Sequence, residues 1–214
     1  MIGGMATSTG GNPFLDRAYA LTGTEEAREL YDEWAATFDA DITGETQGYV
    51  APGNAADTVV RVAGTGATIL DAGCGTGLAG VELARRGATT IDGVDLSPGM
   101  LERARATGAY RDLGTADLTR PLAAADGAYD VVVCVGTLTH GHVGSSVLAE
   151  FVRVVRSGGY VVATVLDDIW ETDGFRAEVD RLAAGELVEM VSAELEPYRS
   201  GQSVDCRMLV LRVR

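Results

Sequence analysis

Apolar positions along the chain alternate between two periods. From Thr24 to Phe38, "TEEARELYDEWAATF" places Ala27, Leu30, Tyr31, Trp34 and Phe38 at helical spacing, with Thr24 as the N-cap and Glu25 and Glu26 in the first turn. A second helix is expected over Asn54–Ala63, after Pro52-Gly53. "TIL" (68–70) opens a strand that runs into a glycine turn. "LAGVELARRG" (78–87) is a helix closed by Gly87, and "TIDGVDL" (90–96) a second strand. "SPGMLERARA" (97–106) reads as a helix with Ser97 as N-cap and Pro98 at its first position. A short strand is expected within 110–118. "YDVVVCVG" (129–136) is a nearly continuous β-branched run, the pattern of a central parallel strand buried on both faces. A helix over 145–159 ends at two glycines before the strand "YVVATVL" (160–166). The chain finishes with a helix (172–184) and two strands (187–195 and 206–213) joined by "EPYRSGQS".

Strand–helix alternation implies right-handed crossovers and a sheet covered by helices on both faces. The expectation is an α/β, doubly wound, seven-stranded sheet, mostly parallel with a reversed C-terminal strand. No repeat and no second core interrupts it. The chain divides into a flexible leader (1–23), an N-terminal helical lid (24–66) and a core (67–214).

Composition narrows the chemistry. A length of 214 residues, 46% hydrophobic, suits one ordinary domain. No apolar run approaches the roughly 18 residues that cross a bilayer, so no membrane partner is expected. The opening "MIGGMATSTGGNP" lacks the pattern of a signal peptide, and Met5 is an alternative start. Cys74, Cys134 and Cys206 are far apart and read as reduced thiols of a cytoplasmic protein. A net charge of −14 argues against nucleic acid. All 17 basic residues are arginine, which removes Schiff-base, P-loop and Tyr-x-x-x-Lys chemistry and suggests a GC-rich bacterial genome.

The glycine turn "ILDAGCGTGLAG" (69–80) fits two adenosine-bearing ligands. Gly75, Gly77 and Gly80 form G-x-G-x-x-G, the dinucleotide fingerprint, while Asp71 and Gly73, Gly75 and Gly77 form an acid-x-G-x-G-x-G site for S-adenosylmethionine (SAM). Asp95, at the end of the second strand, suits ribose hydroxyls in either case. Three features favour SAM. Asp71 repels a pyrophosphate but attracts an ammonium and a sulfonium. Asp117 stands where a carboxylate accepts from an adenine amino group. The C-terminal strand pair leaves no separate substrate domain.

"ILDAGCGTG", "VDLSPGML", "GTADL", "YDVVVCVGTLTH" and "EFVRVVRSGGYVV" together resemble the successive motifs of class I SAM-dependent methyltransferases, with their Rossmann-like fold. "LYDEWAATFDAD" followed by "GYVAP" resembles the Williams–Beuren-region methyltransferase-like group and bacterial small-molecule methyltransferases. Members of that group often carry an Arg where this chain has Val50, so no role transfers to that position. The resemblance implies that Gly73, Cys74, Gly75 and Gly77 surround the methionine part of SAM, with Asp71 orienting its amino group. It implies that Asp95 takes the ribose, Leu96 and Met100 flank the adenine, and Ala116, Asp117 and Leu118 read its edge. Val135 and Gly136 then line the floor near the sulfonium.

The methyl acceptor needs alignment, exclusion of water and, for a hydroxyl or carbon acid, a base. Both histidines lie in "LTHGHVG", past the fourth strand. His140 is the first choice as base or substrate ligand, His142 the second. No metal is expected, because two histidines two apart lack further ligands at suitable spacing. Tyr31 and Trp34 are the expected substrate contacts. Asp39, Asp41 and Glu45 suit either a cationic amine or, more simply, a solvated face. The expected function is methyl transfer to a small-molecule acceptor, such as a bacterial secondary metabolite, by a monomer or homodimer. An NAD-dependent oxidoreductase and a non-catalytic SAM-binding regulator are the alternatives.

Overall fold

The computed structural model of the protein describes residues 7–214. The first six residues of the expected leader, including Met5, lie outside the described residues. Seven strands form one sheet: β1 (Thr68–Ala72), β2 (Thr90–Asp95), β3 (Asp112–Thr115), β4 (Tyr129–Leu138), β5 (Val155–Leu166), β6 (Val188–Arg199) and β7 (Val204–Val213). Their spatial order is β3-β2-β1-β4-β5-β7-β6. The first five pair in parallel, and β7 inserts antiparallel between β5 and β6. This is the expected doubly wound, Rossmann-like sheet. Val131 to Cys134 of β4 are fully buried, as their β-branched run requires.

Eight helices are described: α1 (Pro13–Tyr19), α2 (Thr24–Trp34), α3 (Phe38–Thr43), α4 (Ala51–Ala63), α5 (Leu78–Arg85), α6 (Pro98–Thr107), α7 (Val147–Val154) and α8 (Phe175–Ala184). Ser97 caps α6 as expected, its hydroxyl accepting from the Met100 amide at 3.0 Å. Gly77 and not a polar residue starts α5, in a left-handed conformation (φ 98°).

Three local expectations change. Part of the expected leader is the helix α1, capped by Asn12, with Leu15 and Ala18 buried. Its apolar face joins Leu30, Trp34 and Ile42 in a second, smaller core, so it orders by packing. The predicted 24–38 helix breaks after Trp34, whose indole donates to Asp41 at 2.7 Å and so binds α2 to α3. Finally, α7 stops at Val154. The next residue already pairs with Tyr129 of β4, and the two glycines sit inside β5.

The segment read as a lid is fastened to the rest of the fold by several contacts, among them the following two. The Asp32 carboxylate accepts from the Ser97 hydroxyl and the Gly99 amide, across α2 and α6. The segment 47–50 runs beside the end of β6, with Tyr49 bridged to Arg199 and the Val50 amide donating to the Tyr198 carbonyl. Between lid and carboxyl edge the fold encloses a cavity of about 500 Å³. Among the described residues no helix is long and apolar enough to cross a membrane.

Candidate active site

The cavity begins where β1 ends. Gly73 and Gly75 adopt positive φ (78° and 55°) and let the chain turn back on itself, with the Gly73 and Cys74 amides donating to the Val94 carbonyl. A Cβ on Gly75 meets nothing within 4 Å, so this glycine faces open cavity. Gly77 does not line the cavity. It starts α5 and packs against Tyr110. Gly80, the third glycine of the dinucleotide pattern, also serves Tyr110: a Cβ there stands 2.3 Å from the ring.

Tyr110 explains that spacing. Its hydroxyl donates to Asp71 Oδ2 at 2.7 Å, and Asp71 is 1% exposed. The other oxygen, Oδ1, is buried with no partner among the described residues. Burial pushes the Asp71 carboxyl up to about 7, although the Tyr110 hydrogen bond pulls the other way. A buried carboxylate oxygen without a donor fits an ammonium group, and it rejects a pyrophosphate. The residues thus fit the methionine end of SAM and not the diphosphate of a dinucleotide.

Asp95 fits the ribose. Oδ2 accepts from the Gly75 amide at 2.8 Å and Oδ1 from the Ser97 amide at 2.9 Å, so both oxygens are aimed by backbone. Burial raises its pKa, and the amides oppose that rise. Cys74, Leu96, Met100, Ala116, Asp117, Leu118, Val135 and Gly136 all line the same cavity. Asp117 also holds a turn, accepting from the Thr119 amide and hydroxyl.

The two histidines separate. His142 lines the cavity, while His140 does not. His140 Nε2 lies 2.9 Å from Asp168 Oδ2 and 3.1 Å from the Thr7 hydroxyl, at the rim of a shallower depression. The order of preference read from sequence is therefore reversed. His142 Nδ1 lies against the His140 carbonyl, which only accepts, and the Thr139 hydroxyl, which can accept, so the proton belongs on Nδ1 and Nε2 is the acceptor. Nε2 accepts from the Tyr31 hydroxyl at 2.7 Å. Burial lowers the His142 pKa, so the ring is neutral at pH 7. Burial raises that of Tyr31, which stays protonated.

Trp34 also lines the cavity, but it is fully buried and stacked on Phe14 at 5.1 Å, so its ring is chiefly the core of the lid. Asp39 and Glu45 are exposed, as the solvated-face reading expects, while Asp39 also accepts from the Thr76 hydroxyl and the half-buried Asp41 from Trp34. Tyr49, Tyr198 and Arg199 line the cavity without having been singled out from sequence. No periodicity marks them, because they come from the lid and from the end of β6.

Residues 70–163 match the family model described as a methyltransferase domain. Methyltransferase-like protein 27 of Homo sapiens is 35% identical over 172 residues, covering 77% of this chain and 69% of that protein. The chain belongs to the class I SAM-dependent methyltransferases. A ubiquinone biosynthesis O-methyltransferase of Thiobacillus denitrificans is 36% identical over 106 residues, 48% of this methyltransferase and 45% of that one, so the matched part spans under half of that relative. Among solved structures, a [4+2]-cyclase superposes with a TM-score of 0.68 at 18% identity, covering 90% of this chain and 97% of that one. Magnesium protoporphyrin IX methyltransferase from Synechocystis PCC 6803, with S-adenosylhomocysteine (SAH) bound, gives 0.65 at 16%, covering 89% and 100%. These two share the fold. SAM is the cofactor of this methyltransferase.

Proposed function

We propose that this methyltransferase methylates a hydroxyl of a small-molecule acceptor, with His142 as the general base. The observation that carries the reading is the neutral His142 in the cavity wall, its Nδ1 held by a carbonyl and its Nε2 lone pair directed at a hydroxyl donor. SAM supplies an electrophilic methyl group when bound. The acceptor hydroxyl takes the position of the Tyr31 hydroxyl against Nε2 and gives its proton there as its oxygen bonds to the methyl carbon, the carbon–sulfur bond breaks and SAH leaves. Because burial disfavours imidazolium, the base is unprotonated across neutral pH. The apolar walls from Leu15, Leu21, Ile42 and Val143 exclude water, which competes for the methyl group. Relatives named as O-methyltransferases support an oxygen acceptor. The secondary-metabolite role and the cytoplasmic location belong to the same proposal.

The test incubates the enzyme and a metabolite extract with SAM carrying a deuterated methyl group, and follows label by mass spectrometry. A labelled small molecule is expected, formed roughly 10²–10⁴-fold more slowly by His142→Ala and at an undiminished rate by His140→Ala. The pH–rate profile should fall only on the acid side, below the ordinary imidazole value of 6.5. Full activity of His142→Ala refutes the assignment of the base. Tight SAH binding without any labelled product favours a non-catalytic SAM-binding regulator.

A further inference from the structure

Arg199, the last residue of β6, is fully buried and lines the cavity. Its partners are all neutral. Nη1 donates to Gln47 Oε1, and Nη2 donates to the Ser8 carbonyl and, at 3.0 Å, to the Tyr19 hydroxyl. The guanidinium carbon lies 5.8 Å from the Tyr19 ring centroid. Nε is buried with no partner among the described residues. Among the described residues no carboxylate reaches Arg199. The other arginines without a carboxylate partner among the described residues, Arg61, Arg103, Arg105 and Arg212, are exposed to water.

A guanidinium keeps its charge in any protein environment. Burying that charge without a counter-ion is strongly unfavourable unless something supplies one. A purely structural clamp between β6, Gln47 and Ser8 needs only donors and gains nothing from a net charge. Asp168, which influences Tyr19 beside Arg199, is held by His140 and Thr7. Asp71 and Asp95 belong to the glycine-turn end of the cavity, which suits a cofactor with a cationic sulfonium and ammonium. Arg199 stands with Tyr19, Tyr49 and Tyr198, on the lid and β6 side. The cavity is thus divided by charge.

We infer that the acceptor carries a carboxylate, which Arg199 seats at the cavity wall while the group to be methylated faces His142. Arg199 here is a specificity-determining residue. Its contact with the anion replaces the missing counter-ion, and an uncharged analogue leaves the buried charge uncompensated. The inference rests on the methyltransferase reading of the cavity and deepens it by naming the acceptor's class.

The test uses the full chain saturated with SAH and matched pairs of carboxylates and their amides: phenylacetate and phenylacetamide, 4-hydroxybenzoate and 4-hydroxybenzamide, octanoate and octanamide. Calorimetry reads the affinity of each. At least one carboxylate should bind about tenfold or more tightly than its amide, a difference of about 1.4 kcal/mol. Arg199→Met should bring that pair to parity while SAH binding stays within about twofold. Where that variant does not fold, Arg199→Lys should retain part of the preference. Parity of all three pairs in the unaltered protein overturns the inference, as does a preference that survives Arg199→Met. Failure of SAH itself to bind overturns the reading of the cavity as a SAM site, which is a separate outcome.

Discussion

Replacing Asp71 with asparagine isolates the cost of holding a carboxylate ready for the cofactor's ammonium. The two side chains have the same shape, and the amide oxygen still accepts from the Tyr110 hydroxyl. Burial raises the Asp71 pKa from 3.8 to about 7. The folded state therefore binds the proton more tightly than the unfolded state does. Ionised Asp71 costs no stability below about pH 3.8; the cost grows as pH rises and is complete above about pH 7. Each factor of ten in proton affinity is about 1.4 kcal/mol, so the full penalty is about 4 kcal/mol, of which about 2 kcal/mol develops between about pH 5.5 and about pH 8.5. Asp71→Asn removes it. Urea denaturation of both proteins at those two pH values should show the variant gaining about 2 kcal/mol on the wild type as pH rises. Calorimetry should show the opposite for function: SAH loses a charge-assisted contact of about 1.5–3 kcal/mol, or roughly 10–100-fold in affinity. A stability difference that does not change with pH, or an unchanged SAH dissociation constant, refutes the argument that Asp71 is an ionisable group awaiting a cation.

Other perturbations address neighbouring parts of the site. Asp95→Ala strips the acceptor from the Gly75 and Ser97 amides and from the ribose, so SAH affinity should fall at least about tenfold with the fold retained; unaltered affinity would misplace the site. Gly80→Ala sets a methyl group 2.3 Å from the Tyr110 ring, and overpacking should cost about 1–3 kcal/mol in thermal denaturation and weaken SAH binding through Asp71. A variant as stable as wild type would show that Tyr110 is not wedged there. For the lid, hydrogen exchange should slow from Leu30 to Val50, and around Gly73–Gly77, when SAH is added, because ligand supplies surface on which the helices order. Equal protection of α2 with and without SAH makes it a static part of the core.

The elements β1, α5, β2, α6 and β4 were legible in the amino-acid sequence because each depends on neighbours a few residues away. Helical spacing, the Ser97 cap and the β-branched run over 129–136 are local causes with local effects. That Asp71, Gly73, Gly75 and Asp95 share one end of the cavity was legible for a related reason. Asp71, Gly73, Gly75 and Asp95 sit at strand ends, and the β1–α5–β2 topology brings strand ends together. Tertiary packing decided the rest. Helix α1 forms on a surface provided by α2, and α2 breaks where Trp34 meets Asp41. The dual use of the glycines depends on Tyr110, 30 residues beyond Gly80, and its bond to Asp71 spans 39 positions. His140 and His142 are indistinguishable by spacing. They part only because Tyr31, 111 positions away, meets one, and Asp168 meets the other. Arg199 finds Gln47 across 152 positions. Periodicity records which face of an element is buried, but not which distant side chains share that interior. The proposed base and the buried cation therefore emerge only when the N-terminal helices, the end of β4 and β6 close on one cavity.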